Sequence, residues 1–213
     1  MTALSRERWS QLWRKASGQG DGAAWFDILE ARYAEPHRYY HKSQHIVECL
    51  TEFDSARNLA SEPTAVELAI WFHDAIYDTH ASDNEEQSAV LAEECLAETG
   101  ANGGLRLAVR DLVLVTKTHD PSKHVDAPLL VDVDLSILGQ PEDRFWEYEA
   151  QVRQEYAWVP EDVFCAKRAE ILERFLARDR IYTTGWFFQT LEKQARSNLA
   201  ASLHRLRQLG QRE

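Results

Sequence analysis

Residues 65–76 read AVELAIWFHDAI, apolar on almost every side of a helix. A helix with no solvent face has to sit at the centre of a domain, with other elements packed around it. The stretch before it, Ser61-Glu62-Pro63-Thr64, reads as a turn, and Thr64 followed by Glu67 has the form of a capping box. Upstream, Ile46, Val47, Leu50, Phe53 and Leu59 recur at helical spacing and predict a helix over about 42–60. Downstream, Asp83-Asn84-Glu85-Glu86 opens another helix with acid where the macrodipole favours it. Further helices are expected at about 104–118, 130–138, 142–157, 161–178 and 186–208. The only strand candidates are LVLVT (112–116) and PLLVDVDL (128–135), and the first continues a helical phase. Glycines cluster at 17–22 and 100–104 and punctuate the helices. The fold expected is all-α: a single-domain helical bundle over 1–213, with the C-terminal helices packed onto the rest.

Composition narrows the function classes. The 213 residues carry 24 Lys and Arg against 35 Asp and Glu, a formal net of −11. The segment 1–160 has a net of −14 and the segment 161–213 a net of +3. Seven Trp, eight Phe and seven Tyr are too many for a disordered chain. Sequence-independent nucleic-acid binding is not expected, because neutralising phosphates needs a basic surface. The stretch 1–17 has no apolar core of signal-peptide type, and no run approaches 18 apolar residues, so no membrane association is expected. Cys49, Cys95 and Cys165 are far apart and odd in number, and no C-x-x-C pair exists. That fits a reducing, cytoplasmic setting, with the cysteines as buried packing. The aromatics Phe145, Trp146, Tyr148, Tyr156 and Trp158 read as a core face or as the surface of a homo-oligomer, with core preferred.

Three apolar-flanked clusters carry chemistry. Arg38 to His45 includes His41 and His45, four apart and so on one helix face. His73-Asp74 lies in the apolar helix, and Asp132 and Asp134 lie in LLVDVDLSILG. A carboxylate in such surroundings is costly unless paired or bound to a cation. Taken singly, each group has a plain reading. A buried His is ordinarily a hydrogen-bonded core residue, Asp74 could pair with an Arg, and Asp132 or Asp134 could cap a helix. Taken together, three apolar segments each bearing His or Asp point to a site for a divalent cation. Imidazole and carboxylate do not decide among Mn, Fe, Co, Ni, Zn or Mg. P-loop, dinucleotide, H-E-x-x-H and G-x-S-x-G motifs are absent from the sequence.

The order His45, His73-Asp74, Asp134 resembles the H…HD…D signature of the HD superfamily of metal-dependent phosphohydrolases. YAEPHRYYH (33–41), WFHDAIYD (71–78), DNEEQSA (83–89), TKTH (116–119), DVDLSILG (132–139), RDRIYTT (178–184) and ARSNL (195–199) are similar to its uncharacterised bacterial branch of predicted HD-type phosphohydrolases. The resemblance runs over about 24–205. It implies an HD-type helical bundle with a metal held by His45, His73, Asp74 and Asp134. The first ligand is either His41 or His45, and His45 is preferred because it lies in the helical phase leading into Ile46 and Val47. The reaction implied is hydrolysis of a small phosphorylated, nucleotide-like substrate by metal-activated water. Related guanosine-tetraphosphate hydrolases follow the HD pair with two acids. Here Tyr77-Asp78 offers one, which leaves Asp78 as the candidate general base. Arg38, Lys117, His119 and Lys42 are candidate phosphate donors, with Arg38 and His119 ahead of the others. Glu85 and Glu86 are weaker candidates for reaching the site. The rival readings are a non-catalytic metal- or nucleotide-binding module and, third, a di-iron oxygenase drawing on His41, His80, His119 and His124.

Overall fold

The computed structural model describes residues 3–16, 18 and 20–209. Among these the chain is all-α, with ten α-helices and no strand. It is built as two compact units, Met1–Asp134 and Leu135–Glu213.

In the first unit, α1 (Arg6–Lys15), α2 (Ala23–Tyr33), α3 (Ser43–Ala56), α5 (Asn84–Thr99), α6 (Gly103–Val115) and α7 (Ala127–Asp134) surround α4 (Pro63–Phe72). Every residue of α4 from Ala65 to Phe72 is buried. Trp71 is the hub, with Trp9 edge-on at 5.2 Å, Phe26 at 6.2 Å and its carbonyl accepting from Tyr33 Oη at 2.9 Å. Truncating such a side chain costs about 3–5 kcal/mol.

The helix is positioned differently at its start from the capping box that Thr64 and Glu67 suggested. Pro63 takes the first helical position, and Glu62 is the N-cap without a side-chain bond. The Asp126 carboxylate instead accepts from the backbone N–H groups of Ser61 and Glu62, both at 2.7 Å. Glu67 is buried and paired with Arg8 Nε at 2.7 Å and Arg57 Nη1 at 2.6 Å. An acid facing the core side of an apolar helix needs such partners, and they outcompete the local cap.

α5 ends at Gly100, whose φ of 72° allows the N–H of Ala101 to reach Leu96 O at 3.2 Å. α6 starts on Asn102, which accepts from the N–H of Leu105 at 2.9 Å. The Val-rich 112–116 run is helical to Val115, as its phase predicts. DVD closes α7 at its C-terminal end, and Asp132 is fully buried.

The second unit contains a 3₁₀ segment, Leu135–Gly139, then α8 (Glu142–Glu155), α9 (Glu161–Leu176) and α10 (Gly185–Leu209). α10 packs on α9 and on the 3₁₀ segment. The link between α9 and α10 is held by two side chains of α10. Glu192 accepts from the N–H groups of Ile181 and Tyr182, and Arg196 donates to the carbonyls of Leu176, Arg178 and Asp179. Phe145 and Tyr148 are buried in this unit, whereas Trp158 is exposed. Cys49, Cys95 and Cys165 are buried free thiols. No described helix is long and apolar enough to cross a membrane.

Candidate metal centre

Three helix ends in the first unit bring the polar cluster together. His45 lies in the first turn of α3, its N–H bonded to Lys42 O at 2.9 Å. His73 and Asp74 lie just beyond α4, in the turn that ends it, rather than within the helix. That turn is closed by Ala75 N–H to Phe72 O at 2.9 Å, and it lets two adjacent side chains face one point. Asp134 is the last residue of α7. Two of the three contributing helices therefore present their carbonyl ends, the negative end of the macrodipole, which favours a cation.

The distances within the cluster are short. His73 Nε2 lies 3.0 Å from Asp74 Oδ2, 3.1 Å from His45 Nε2 and 3.5 Å from Asp134 Oδ1. His45 Nε2 lies 3.4 Å from Asp74 Oδ2 and 3.3 Å from Asp134 Oδ1. Both imidazoles are 2 % exposed, whereas the Asp74 and Asp134 side chains are 19 % and 14 % exposed, so solvent reaches the cluster from its carboxylate side.

The donor chemistry decides how these atoms coexist. His73 Nδ1–H donates to Ile70 O at 3.0 Å, which leaves Nε2 of the neutral ring as an acceptor. That acceptor faces a second imidazole nitrogen and two carboxylate oxygens. Positive charge placed among them, as protons on the rings or as a metal cation, reconciles the four. The same demand appears in their acid–base behaviour. Burial works against charging either imidazole. For His45 it is outweighed by Cys49, Tyr40, Asp134 and Asp74, and for His73 by Asp74 and Asp134, so both pKa values stand well above the usual histidine range. Burial likewise opposes ionisation of the two acids. It is outweighed for Asp74 by His73, His41 and His45, and for Asp134 by His73, His119 and His45, so both carboxyls fall well below the usual range. A divalent cation would meet this demand with one ion. Ligands bonded to one ion at about 2.1 Å lie roughly 3.0–3.4 Å apart, from cis-octahedral to tetrahedral angles. The spacings between the two imidazoles and from each to the two carboxylates, 3.0–3.5 Å, lie at or close to that range.

Around the cluster, His119 Nε2–H donates to Asp134 Oδ2 at 3.0 Å. His41 stacks on Tyr77 at 4.1 Å and lies 6.0 Å, ring to ring, from His45. It is therefore His45 that faces His73, Asp74 and Asp134. The residue that sequence reasoning passed over is Cys49, whose Sγ is 3.6 Å from His45 Nδ1 and 3.9 Å from Val133 O. The signal was available: Cys49 is four residues after His45, on the same face of α3.

Three expected catalytic side chains are engaged with partners of the chain outside the four-residue set or with its backbone. The Arg38 side chain is buried, and its guanidinium donates to His41 O, Asp74 O, Ala75 O and Glu35 Oε2 at 2.6–3.1 Å. It buttresses the backbone of the His73-Asp74 turn instead of reaching a phosphate. Lys117 Nζ, on the surface, is held by Glu86 Oε1 at 2.5 Å and Ser82 O at 2.7 Å. The Asp78 carboxylate, 62 % exposed, accepts from His80 N–H at 2.8 Å and lies 3.2 Å from His80 Nδ1. No contact joins Asp78 or Lys117 to the cluster among the described residues. The His80 backbone N–H, helped by the His80 side chain, holds the Asp78 pKa below its usual value, the reverse of what a general base needs. Compared with family models, characterised proteins and solved structures, the chain matches none.

Proposed function

We propose that the chain binds one divalent metal ion through His45, His73, Asp74 and Asp134 and hydrolyses a small phosphorylated, nucleotide-like substrate, as its resemblance to HD-type phosphohydrolases implies. The observation that carries the metal is that His45 Nε2 and His73 Nε2 lie 3.1 Å apart and each stands 3.0–3.5 Å from a carboxylate oxygen of Asp74 and of Asp134, with His73 Nδ1 committed to Ile70 O. When bound, a divalent ion supplies Lewis acidity, lowering the pKa of water and polarising a phosphoryl oxygen. The chain's own residues do the rest. Arg38 holds the carbonyls of Asp74 and Ala75 and so fixes the turn that carries two ligands. The carboxylate side is where substrate enters, since the imidazoles are closed off. His41 lies near Asp74, and His119 donates to Asp134 Oδ2, on the same side.

The test is metal analysis of the purified protein, followed by a hydrolysis screen over nucleotides and phosphomonoesters with added Mn, Co, Ni or Mg. Bound metal and a turnover lost in both His73→Ala and Asp74→Ala are expected. Turnover unchanged in both variants would sink the hydrolase reading.

A second reading draws on the engagement of Arg38 with backbone carbonyls of the His73-Asp74 turn and of Lys117 and Asp78 with partners away from the cluster. On it the chain is a metal-holding, nucleotide-sensing module. Metal binding without hydrolysis, together with a melting temperature raised by a nucleotide, would favour it.

A further inference from the structure

The two oxygens of Asp134 face different partners. Oδ1 is turned to His45 Nε2 at 3.3 Å and His73 Nε2 at 3.5 Å, while Oδ2 accepts from His119 at 3.0 Å. A terminal carboxylate torsion is broad and two-fold, so an aspartate without a fixed partner samples a range of planes. A donor on Oδ2 removes that freedom.

The backbone at His119 is unusual. α6 ends at Val115, and the N–H groups of Thr118 and His119 both return to Val115 O, at 3.3 and 2.9 Å. This puts His119 at φ 50°, the one described non-glycine residue with positive φ. A helix end of this kind is ordinarily finished by glycine. Strain of this sort persists where the surroundings over-determine it, and here the imidazole is tied to a residue of the cluster.

We propose that His119 is a positioning residue: it locks the plane of Asp134 so that Oδ1 stays presented to the metal subsite. The inference rests on the metal reading above, and it assigns His119 to ligand orientation, as outer partners of metal ligands do.

The experiment uses the full chain stripped with chelator, Co²⁺ alone as probe, and two crossed variants. His119→Gly keeps the left-handed backbone at ease and removes the donor. His119→Gln keeps an amide donor at the reach of Nε2 and gives up nothing else that Asp134 needs. Calorimetric titration gives affinity and stoichiometry, and the visible spectrum of bound Co²⁺ reports ligand geometry. The expected result is one ion per chain, a loss of roughly 10–100-fold in affinity with an altered spectrum in His119→Gly, and affinity within about threefold of the parent in His119→Gln. The metal-free melting temperature of His119→Gly should be unchanged or higher. Parent-like affinity in His119→Gly overturns the inference and leaves the metal reading standing. So does an affinity loss in both variants that follows a fall in metal-free melting temperature, the mark of a merely structural role. A second ion lost from His119→Gly makes His119 a ligand and also overturns it. A parent that binds no Co²⁺ overturns both the inference and the metal reading.

Discussion

In the unit 135–213, the buried carboxylate of Glu192 accepts from the N–H groups of Ile181 and Tyr182 and from Arg196 Nε. Asn198 Nδ2 donates to the carbonyls of Leu138 and Gln140, and the Glu149 carboxylate takes up Arg168 and Ser202. In the unit 1–134, the carboxylates of Asp74 and Asp134 face the Nε2 atoms of His45 and His73, and the His73 ring already donates elsewhere through Nδ1. Burial is similar in the two places, but the hydrogen-bond bookkeeping is not. Donors and acceptors match in the Glu192 network, which makes it a structural staple. Acceptors outnumber donors in the His73 cluster, which makes it a place for added positive charge. Polar burial alone does not separate the two places; the mismatch does.

The largest expected effect separates the two directly. His73→Ala or Asp74→Asn should reduce metal affinity by more than the roughly 100-fold that losing an outer partner costs, with the metal-free fold retained. Glu192→Ala should do the converse. It strands two buried N–H groups and a guanidinium, so it should cost about 3 kcal/mol in urea unfolding and leave metal affinity unchanged. Equal effects of both substitutions on both readouts would dissolve the distinction. Metal itself gives the next effect. At about 100 times its dissociation constant, an ion bound only by the native state adds about 2.7 kcal/mol. Chelator should therefore lower the melting temperature of the parent by several degrees and leave that of Asp74→Asn unmoved.

Eight of the ten described helices were legible because apolar spacing reports directly on them: α3, α4 and α6 begin and end within a few residues of their periodic patterns, whereas α1 and α2 were not among the helices expected. The cluster was legible as residue types, since His45, His73, Asp74 and Asp134 each interrupt apolar sequence. Its surroundings were not. Whether Arg38 meets a phosphate or four oxygens of its own chain depends on where the His73-Asp74 turn folds back, and no local pattern encodes that. Asp78 follows the HD pair closely in sequence, yet the chain leaves α4 at Phe72 and carries the acid to the surface. Likewise the segments RDRIYTT and ARSNL read as family motifs, and the structure spends their Arg196 and Asn198 on backbone carbonyls of the second unit.

A smaller effect sharpens the structural side of the comparison. A Cβ on Gly139 would stand 2.6 Å from Leu191 Cβ and 2.9 Å from Leu191 O, and the backbone oxygen cannot step aside. Gly139→Ala should cost about 1–3 kcal/mol, read from the urea midpoint, again with metal affinity unchanged. A neutral result would show that the approach of the 3₁₀ segment to α10 is loose.

The smallest effect asks whether a buried ionisable group of the first unit, away from the cluster, behaves like the staple. Burial, helped by the charge of Glu98, pushes the Cys95 thiol well above its usual pKa. The neutral thiol is thus the form that the fold accepts. A group whose pKa is raised on folding contributes its stability below the unfolded pKa, near 8.5 for a thiol. Above that value the unfolded chain releases the proton first, the native state binds more protons, and stability falls as pH rises. Between pH 9 and 10 the Cys95 share of that fall approaches about 1.4 kcal/mol. Urea midpoints of the parent and Cys95→Ala at pH 8, 9 and 10 isolate it, because the variant should show a shallower alkaline decline despite its smaller side chain. Parallel declines would mean that the native state admits a thiolate at this position, and the neutral, apolar reading of Cys95 would fall.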